Sequence, residues 1–259
     1  MKKLLIFTTH CLLFSTLVAQ TIPTVTNPAT GRTWMDRNLG ASQVATSVTD
    51  EFAYGDLYQW GRYADGHQAR TSSTTSVLAT NNAPNHPDFI LANSDWLAIP
   101  EEDLWQGVSG TNNPCPLGFR IPTEEEFETE RLSWTSNDAA GAFGSPLKLT
   151  LAGARSRMTG ALGNIGTFVG YRTSAVNGSQ TRLMGISLSI AMMGDRDKAD
   201  GNCVRCILDE ASTTVEEIHV EKQLVKITDL LGRETTCKPN IPLLYIYDDN
   251  TVEKKMIIE

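Results

Sequence analysis

The sequence predicts an α+β fold of short strands, about two helices and long loops, followed by a small C-terminal β unit. Three observations carry this. Residues 20–209 are rich in Gly, Ser, Thr, Asn and aromatic residues, with short apolar runs between turn signals, the texture of short strands joined by loops. Only two segments show convincing helical patterning. After residue 209 a polar stretch gives way to alternating, β-rich segments. The 259 residues suffice for one sizeable core and a smaller appended unit, and 41% hydrophobic with 20% charged residues is ordinary globular composition.

The first nineteen residues read as a signal peptide. Lys2 and Lys3 form a basic start, residues 4–18 an apolar stretch interrupted by Thr8, Thr9 and His10, and Leu17-Val18-Ala19 a small-residue exit with cleavage expected after Ala19. The stretch is too short and too interrupted for a spanning helix, and no later apolar run approaches about 18 residues, so an exported chain with no membrane span is expected. Residues 1–19 hold two lysines and no acid, so cleavage moves the formal charge from -8 to -10. Such a chain repels phosphate backbones, which argues against nucleic acid as a partner.

The first helix is expected in "GDLYQWGRYADG" (residues 55–66), where Leu57, Trp60 and Ala64 fall at i, i+3 and i+7 and Gly66 is placed to end it. The second is expected in "CPLGFRIPTEEEFETE" (residues 115–130). Thr123 and Glu126 fit a capping box, Glu124 and Glu125 complement the positive helix end, and Phe127 and Trp134 share a face. General acid–base chemistry needs carboxylates converging on a pocket, whereas adjacent acids on a first turn fan out into water, so helix initiation accounts better for this acidic run than catalysis does. Residues 210–217, "EASTTVEE", read as a linker. In residues 218–259, Leu243 to Tyr247 and Val252 to Ile258 flank Asp248-Asp249-Asn250, giving a terminal hairpin.

Four cysteines follow the signal peptide: Cys115, Cys203, Cys206 and Cys237. In an exported chain an even count favours disulfides, and the count alone leaves three complete pairings open. Cys203 and Cys206 stand three apart, which on a regular strand points them to opposite faces and argues against their pairing with each other. His67, His86 and His219 lie far apart without paired ligand spacing, and there is no G-x-S-x-G, no phosphate-cradling glycine loop and no H-E-x-x-H. No catalytic, cofactor-binding or metal-ligating residue is assigned. "GDRDKADGN" (residues 194–202) departs from the EF-hand spacing, since Asp200 and Gly201 fall one place late and Cys206 occupies the twelfth position; an irregular calcium loop and a solvated turn are both compatible with it.

Five blocks in order resemble the Fibrobacter succinogenes major paralogous domain family: "GRTWMDRNLGAS" (31–42), "YGDLYQWGR" (54–62), "NPCPLGFRIPTEEEF" (113–127), "GAFGSPLKLTLAG" (141–153) and "VRCILD" (204–209). The resemblance covers most of residues 25–209 and implies an extracellular C-type-lectin-like domain, here 20–209, related in architecture to formylglycine-generating enzymes. Cys115 and Cys206 stand at the family's two cysteine positions, which implies that they bridge. The chain departs from the family in having Tyr171-Arg172-Thr173-Ser174 where relatives have a Trp-Ser-Ser run. It departs again in Cys203, where serine is common. Residues 225–234 and 238–255 resemble the C-terminal sorting domains of the type IX secretion system of Bacteroidetes. This implies that the tail is read by the export machinery and that the protein is secreted or held at the outer cell surface.

The expectation is a non-catalytic protein of recognition, adhesion or structure, with a glycan or surface protein as partner. The alternative is an oxidoreductase related to formylglycine-generating enzymes, using a copper–thiolate site in "CVRC". Pairing of Cys203 with Cys237 is a further alternative. Trp34, Trp60 and Arg120 are the candidates for either a ligand site or a core network. Trp34 with Arg37 and Asn38 has the makings of a sugar platform, but aromatics that define a small domain are more often packing, with Asp36 then paired to Arg37. The binding face, if one exists, is expected in residues 69–105, whose Ser, Thr and Asn content reads as surface loop.

Overall fold

The computed structural model describes residues 22–210, 223–248 and 251–256. The segment read as a signal peptide, residues 211–217 of the linker, His219 and the Asp249-Asn250 part of the terminal turn lie outside them. The described residues fall into two compact units parted within residues 211–222.

The first unit has the predicted α+β character, with small sheets and two helices. Strands β1 (Thr24–Thr26) and β2 (Thr33–Met35) are followed by a 3-10 turn at Glu51–Ala53, β3 (Thr74–Thr75), β4 (Phe89–Ile90) and β5 (Phe119–Arg120). Helices α1 (Glu124–Leu132) and α2 (Ala139–Gly144) come next. Then follow β6 (Ala154–Arg155), β7 (Leu162–Gly163), β8 (Phe168–Asn177), β9 (Gln180–Ser187), β10 (Ala191–Asp197) and β11 (Ile207–Leu208). An antiparallel sheet in the order β1-β2-β11-β5 sets Ile207 beside Trp34 and so joins the two ends of the unit. β8, β9 and β10 form an antiparallel meander, and β3–β4 and β6–β7 are two-stranded ladders.

Helix α1 starts as its sequence dictates. The Glu126 N–H donates to Thr123 Oγ1 at 3.2 Å and the Thr123 N–H donates to Glu126 Oε2 at 2.8 Å, the reciprocal capping box. The other expected helix is absent. Leu57 to Arg62 are buried without interruption, which a one-sided helix cannot achieve, and Gly61 has φ +79°. The backbone N–H groups of Tyr58 and Trp60 donate instead to Asn202 and Lys198 carbonyls at 2.8 and 2.9 Å. The second helix is α2, where Asp138 caps the N–H groups of Ala140 and Gly141.

Two apolar clusters fill the interior. One gathers Trp34, Phe127, Tyr171, Met184 and Ile207, and the other Trp60, Trp96, Trp105, Phe119 and Val204. Residues 198–207 are buried throughout and run between them. Cys203 and Ile207 enter the first cluster while Ala199, Val204 and Cys206 enter the second, so Cys203 and Cys206 do face opposite ways.

The second unit is an antiparallel sheet in the order β12-β13-β14, from Leu224–Thr228, Leu243–Tyr247 and Val252–Lys255. The last two form the expected hairpin, with Leu243 opposite Lys255. Leu230 and Leu231 in the β12–β13 connection are 54% and 78% exposed. No helix among the described residues is long and apolar enough to cross a membrane.

Candidate functional site

The sequence candidates are dispersed through the interior and do not converge. Trp34 is fully buried with its ring 5.1 Å from Phe127, and Trp60 is fully buried with its indole N–H donating to the Thr173 carbonyl at 3.0 Å. The two belong to different clusters. Neither presents a face to a sugar. The rest of the Trp34 block is equally occupied: Asp36 pairs with Arg37 at 2.7 Å, and the buried Asn38 amide donates to the Ala53 and Tyr54 carbonyls while accepting from Arg205. Arg120 grips Glu126 through two bonds of 2.7 and 2.8 Å and reaches Asp209 at 3.4 Å. Burial pushes the Glu126 carboxyl up, but the Arg120 guanidinium and the Thr123 N–H together hold it below its ordinary range. Arg120 thus ties the start of α1 to the end of β11. Glu124 turns away to pair with Arg182 at 2.7 Å, so the acids of the first turn do fan apart.

Cys115 and Cys206 are joined by a disulfide, with Cα atoms 5.9 Å apart. Cys203 is fully buried and its thiol donates weakly to the Tyr54 carbonyl, while burial pushes its pKa up to about 11. The "CVRC" stretch therefore offers one sulfur bound in a disulfide and one sealed thiol, not the pair of convergent thiolates that a copper site requires. Cys237 is a free, exposed thiol. In residues 194–202, the end of β10 and the turn after it, the carboxylates already face guanidiniums: Asp195 meets Arg182 at 2.8 Å, and Asp197 and Asp200 meet Arg157 at 3.0 and 3.2 Å.

A site that the sequence reading passed over is built on residues 59–67. Arg62 is fully buried, with Nε donating to Asp65 Oδ2 at 2.8 Å and its terminal nitrogens to Gln59 Oε1 and the Asp88 and His86 carbonyls. His67 is also fully buried. Its Nδ1–H donates to Asp65 Oδ1 at 2.7 Å and its Nε2 accepts the Gln59 N–H at 3.2 Å, a pairing that requires the neutral ring. Between these anchors Tyr63 stands 56% exposed. It borders two shallow depressions, one shared with Asn82, Pro84, Asn85 and Asn112 and the other with Asn112, Asn113 and Leu117.

The Nδ2 groups of Asn82, Asn85 and Asn112 are engaged within the protein, the last donating to the Gly61 and Asn82 carbonyls. No described residue donates to their Oδ1 atoms, and all three residues line a depression that Tyr63 borders. Backbone strain gathers here too. Asn85, Asn112 and Trp105 have φ of 60°, 61° and 64°; asparagine tolerates this region, but tryptophan holds it only where its surroundings impose it. Residues 69–105 thus contribute Asn82 to Asn85 to an exposed face. They are not mere surface loop, because Phe89, Ile90, Trp96 and Trp105 are fully buried.

The His67 contacts carry a pH dependence. Burial lowers the ring's pKa to about 4 from an ordinary 6.5, with the Asp65 carboxylate opposing the shift. The unfolded chain takes up a proton in that window that the folded chain refuses, so the contribution is complete above pH 6.5 and disappears as pH falls towards 4. At 1.36 kcal/mol per unit, it amounts to about 3 kcal/mol. Urea titrations across this range are expected to show a flatter profile for His67→Asn, whose amide N–H can still meet Asp65. An unchanged slope in the variant would dissociate the effect from His67.

Comparison with protein-family models, with curated proteins and with solved structures returns no match.

Proposed function

We propose that this chain is an exported, non-catalytic recognition domain that binds glycan on the Tyr63 face. The observation that carries this reading is the exposed Tyr63 side chain, set among asparagines whose amide oxygens accept from no described residue and fixed by locked residues on either side. An aromatic face stacks on the apolar surface of a sugar while amide oxygens accept its hydroxyls, and a rigid loop loses little entropy on binding. The five sequence blocks support assignment to the Fibrobacter succinogenes major paralogous domain family with a C-type-lectin-like fold. The tail motifs support a type IX sorting domain, and hence a secreted or cell-surface location with the export machinery as partner. The exposed Leu230 and Leu231 suit a tail that is read by another protein.

The copper oxidoreductase reading loses its motif to the Cys115–Cys206 bond. Glycan-array binding followed by titration of the best ligand tests the proposal. Tyr63→Ala is expected to weaken binding by roughly tenfold or more with the fold intact, the loss of one stacked aromatic at the strong end of its range. An array without a glycan hit, or equal affinity in the variant, would refute it.

A further inference from the structure

A separate hollow, of about 250 Å³, lies among β6, β7, the start of β8 and the end of β10, lined in part by Arg155, Arg157, Phe168, Arg196, Asp200 and Asn202. It brings three guanidiniums against one carboxylate in a chain of formal charge -8. Their states differ. Arg157 is neutralised by Asp197 and Asp200. Arg155 has no carboxylate partner among the described residues. It is buried over the Phe89 ring at 4.3 Å, and donates to the carbonyls of Gly160, Ala69 and Ser72. Arg196 has neither a carboxylate nor a side-chain hydrogen bond among the described residues, only the Phe168 ring 5.9 Å from its guanidinium carbon.

The second observation is Asn202. It is fully buried, and neither its Nδ2 nor its Oδ1 has a hydrogen-bond partner among the described residues. Buried amides are almost always paired, so an orphaned donor and acceptor on one side chain call for an occupant. Gly170 leaves the room that the amide itself fills, since a Cβ there would stand 2.6 Å from Asn202 Oδ1. A hydroxyl can accept from Nδ2 and donate to Oδ1 at once. The volume falls just short of the roughly 300–1,000 Å³ of drug-sized pockets, which suits one sugar ring rather than a chain.

We infer that this hollow binds a single acidic sugar ring, with its carboxylate on Arg196 and a hydroxyl on the Asn202 amide. This site involves none of the residues of the Tyr63 face and stands or falls without it. The test is calorimetric titration of the full chain with D-glucuronate, D-galacturonate, D-glucose and inorganic sulfate. One of the uronates is expected to bind, with affinity that falls as salt rises, and glucose and sulfate to bind at least about tenfold more weakly, since each lacks one of the two recognised groups. Arg196→Gln, at a partly buried position, is expected to lower uronate affinity roughly tenfold, the value of one charge-assisted hydrogen bond. Asn202→Ala is expected to lower it as well, with thermal melting as the check on folding. Tyr63→Ala is expected to leave it unchanged. The inference is overturned by no uronate binding, by sulfate binding as tightly as the uronates, by an Arg196→Gln protein that binds normally, or by loss of uronate binding in Tyr63→Ala.

Discussion

Replacing Cys115 and Cys206 together by alanine is expected to lower the unfolding free energy of the first unit by about 4–5 kcal/mol, read from urea midpoints of the oxidised wild type and the variant. The cross-link spans 91 residues, and in the chain-entropy model a loop of that length removes that much freedom from the unfolded chain. It ties the loop before β5 to the residue before β11, strands that already pair through Arg120 and Ile207. The native state therefore needs no rearrangement to hold the bond, and the effect should appear in the unfolded reference. A loss below about 1 kcal/mol would mean that the unfolded chain is already restrained between these points.

Trp60→Ala is expected to cost about 3–5 kcal/mol, the range for emptying a buried aromatic position. The void would open beside Trp105, whose ring centre is 5.8 Å away, and would leave the Thr173 carbonyl without its donor. It would also expose one flank of Lys198, a buried ammonium 5.1 Å from the Trp60 ring that is otherwise held by Asp95 and the Glu101 carbonyl. Three residues on, Tyr63→Ala should change stability by no more than about 0.5 kcal/mol, as for other surface positions. Thermal and urea unfolding of the two variants side by side separates a core tryptophan from a surface tyrosine. Equal losses would show that Tyr63 is part of the packing and has no free face.

Local signals were legible in the sequence and distributed ones were not. The capping box at Thr123 and Glu126 is written within four residues, so it could be read directly. The opposed directions of Cys203 and Cys206 agree with strand period, although no regular strand runs through 204–206. The stretch 57–62 misled because apolar spacing at i, i+3 and i+7 also occurs in a run buried on every side, and only the intervening Tyr58, Gln59 and Arg62, all buried, distinguish the two cases. Helix α2 carries two glycines in six residues, which hid it, although Asp138 was there as a cap. Tyr63 and the Asn82–Asn85 turn come together only through the fold, and no spacing in the chain announces them; Arg196 and Asn202 lie within the 194–202 stretch that the sequence singled out, but Arg155 and Phe168 join them only through the fold.

The buried run 198–207 has a consequence for biogenesis. Both clusters depend on residues that leave the ribosome after nearly everything else in this unit, including Arg205, which reaches back to the Met35 carbonyl 170 positions earlier. Closure across such separations is slow. A nascent or truncated polypeptide that stops before about residue 198 lacks the wedge between its two halves. The two halves can close on each other only when synthesis is nearly complete, and the Cys115–Cys206 bond can form only after that.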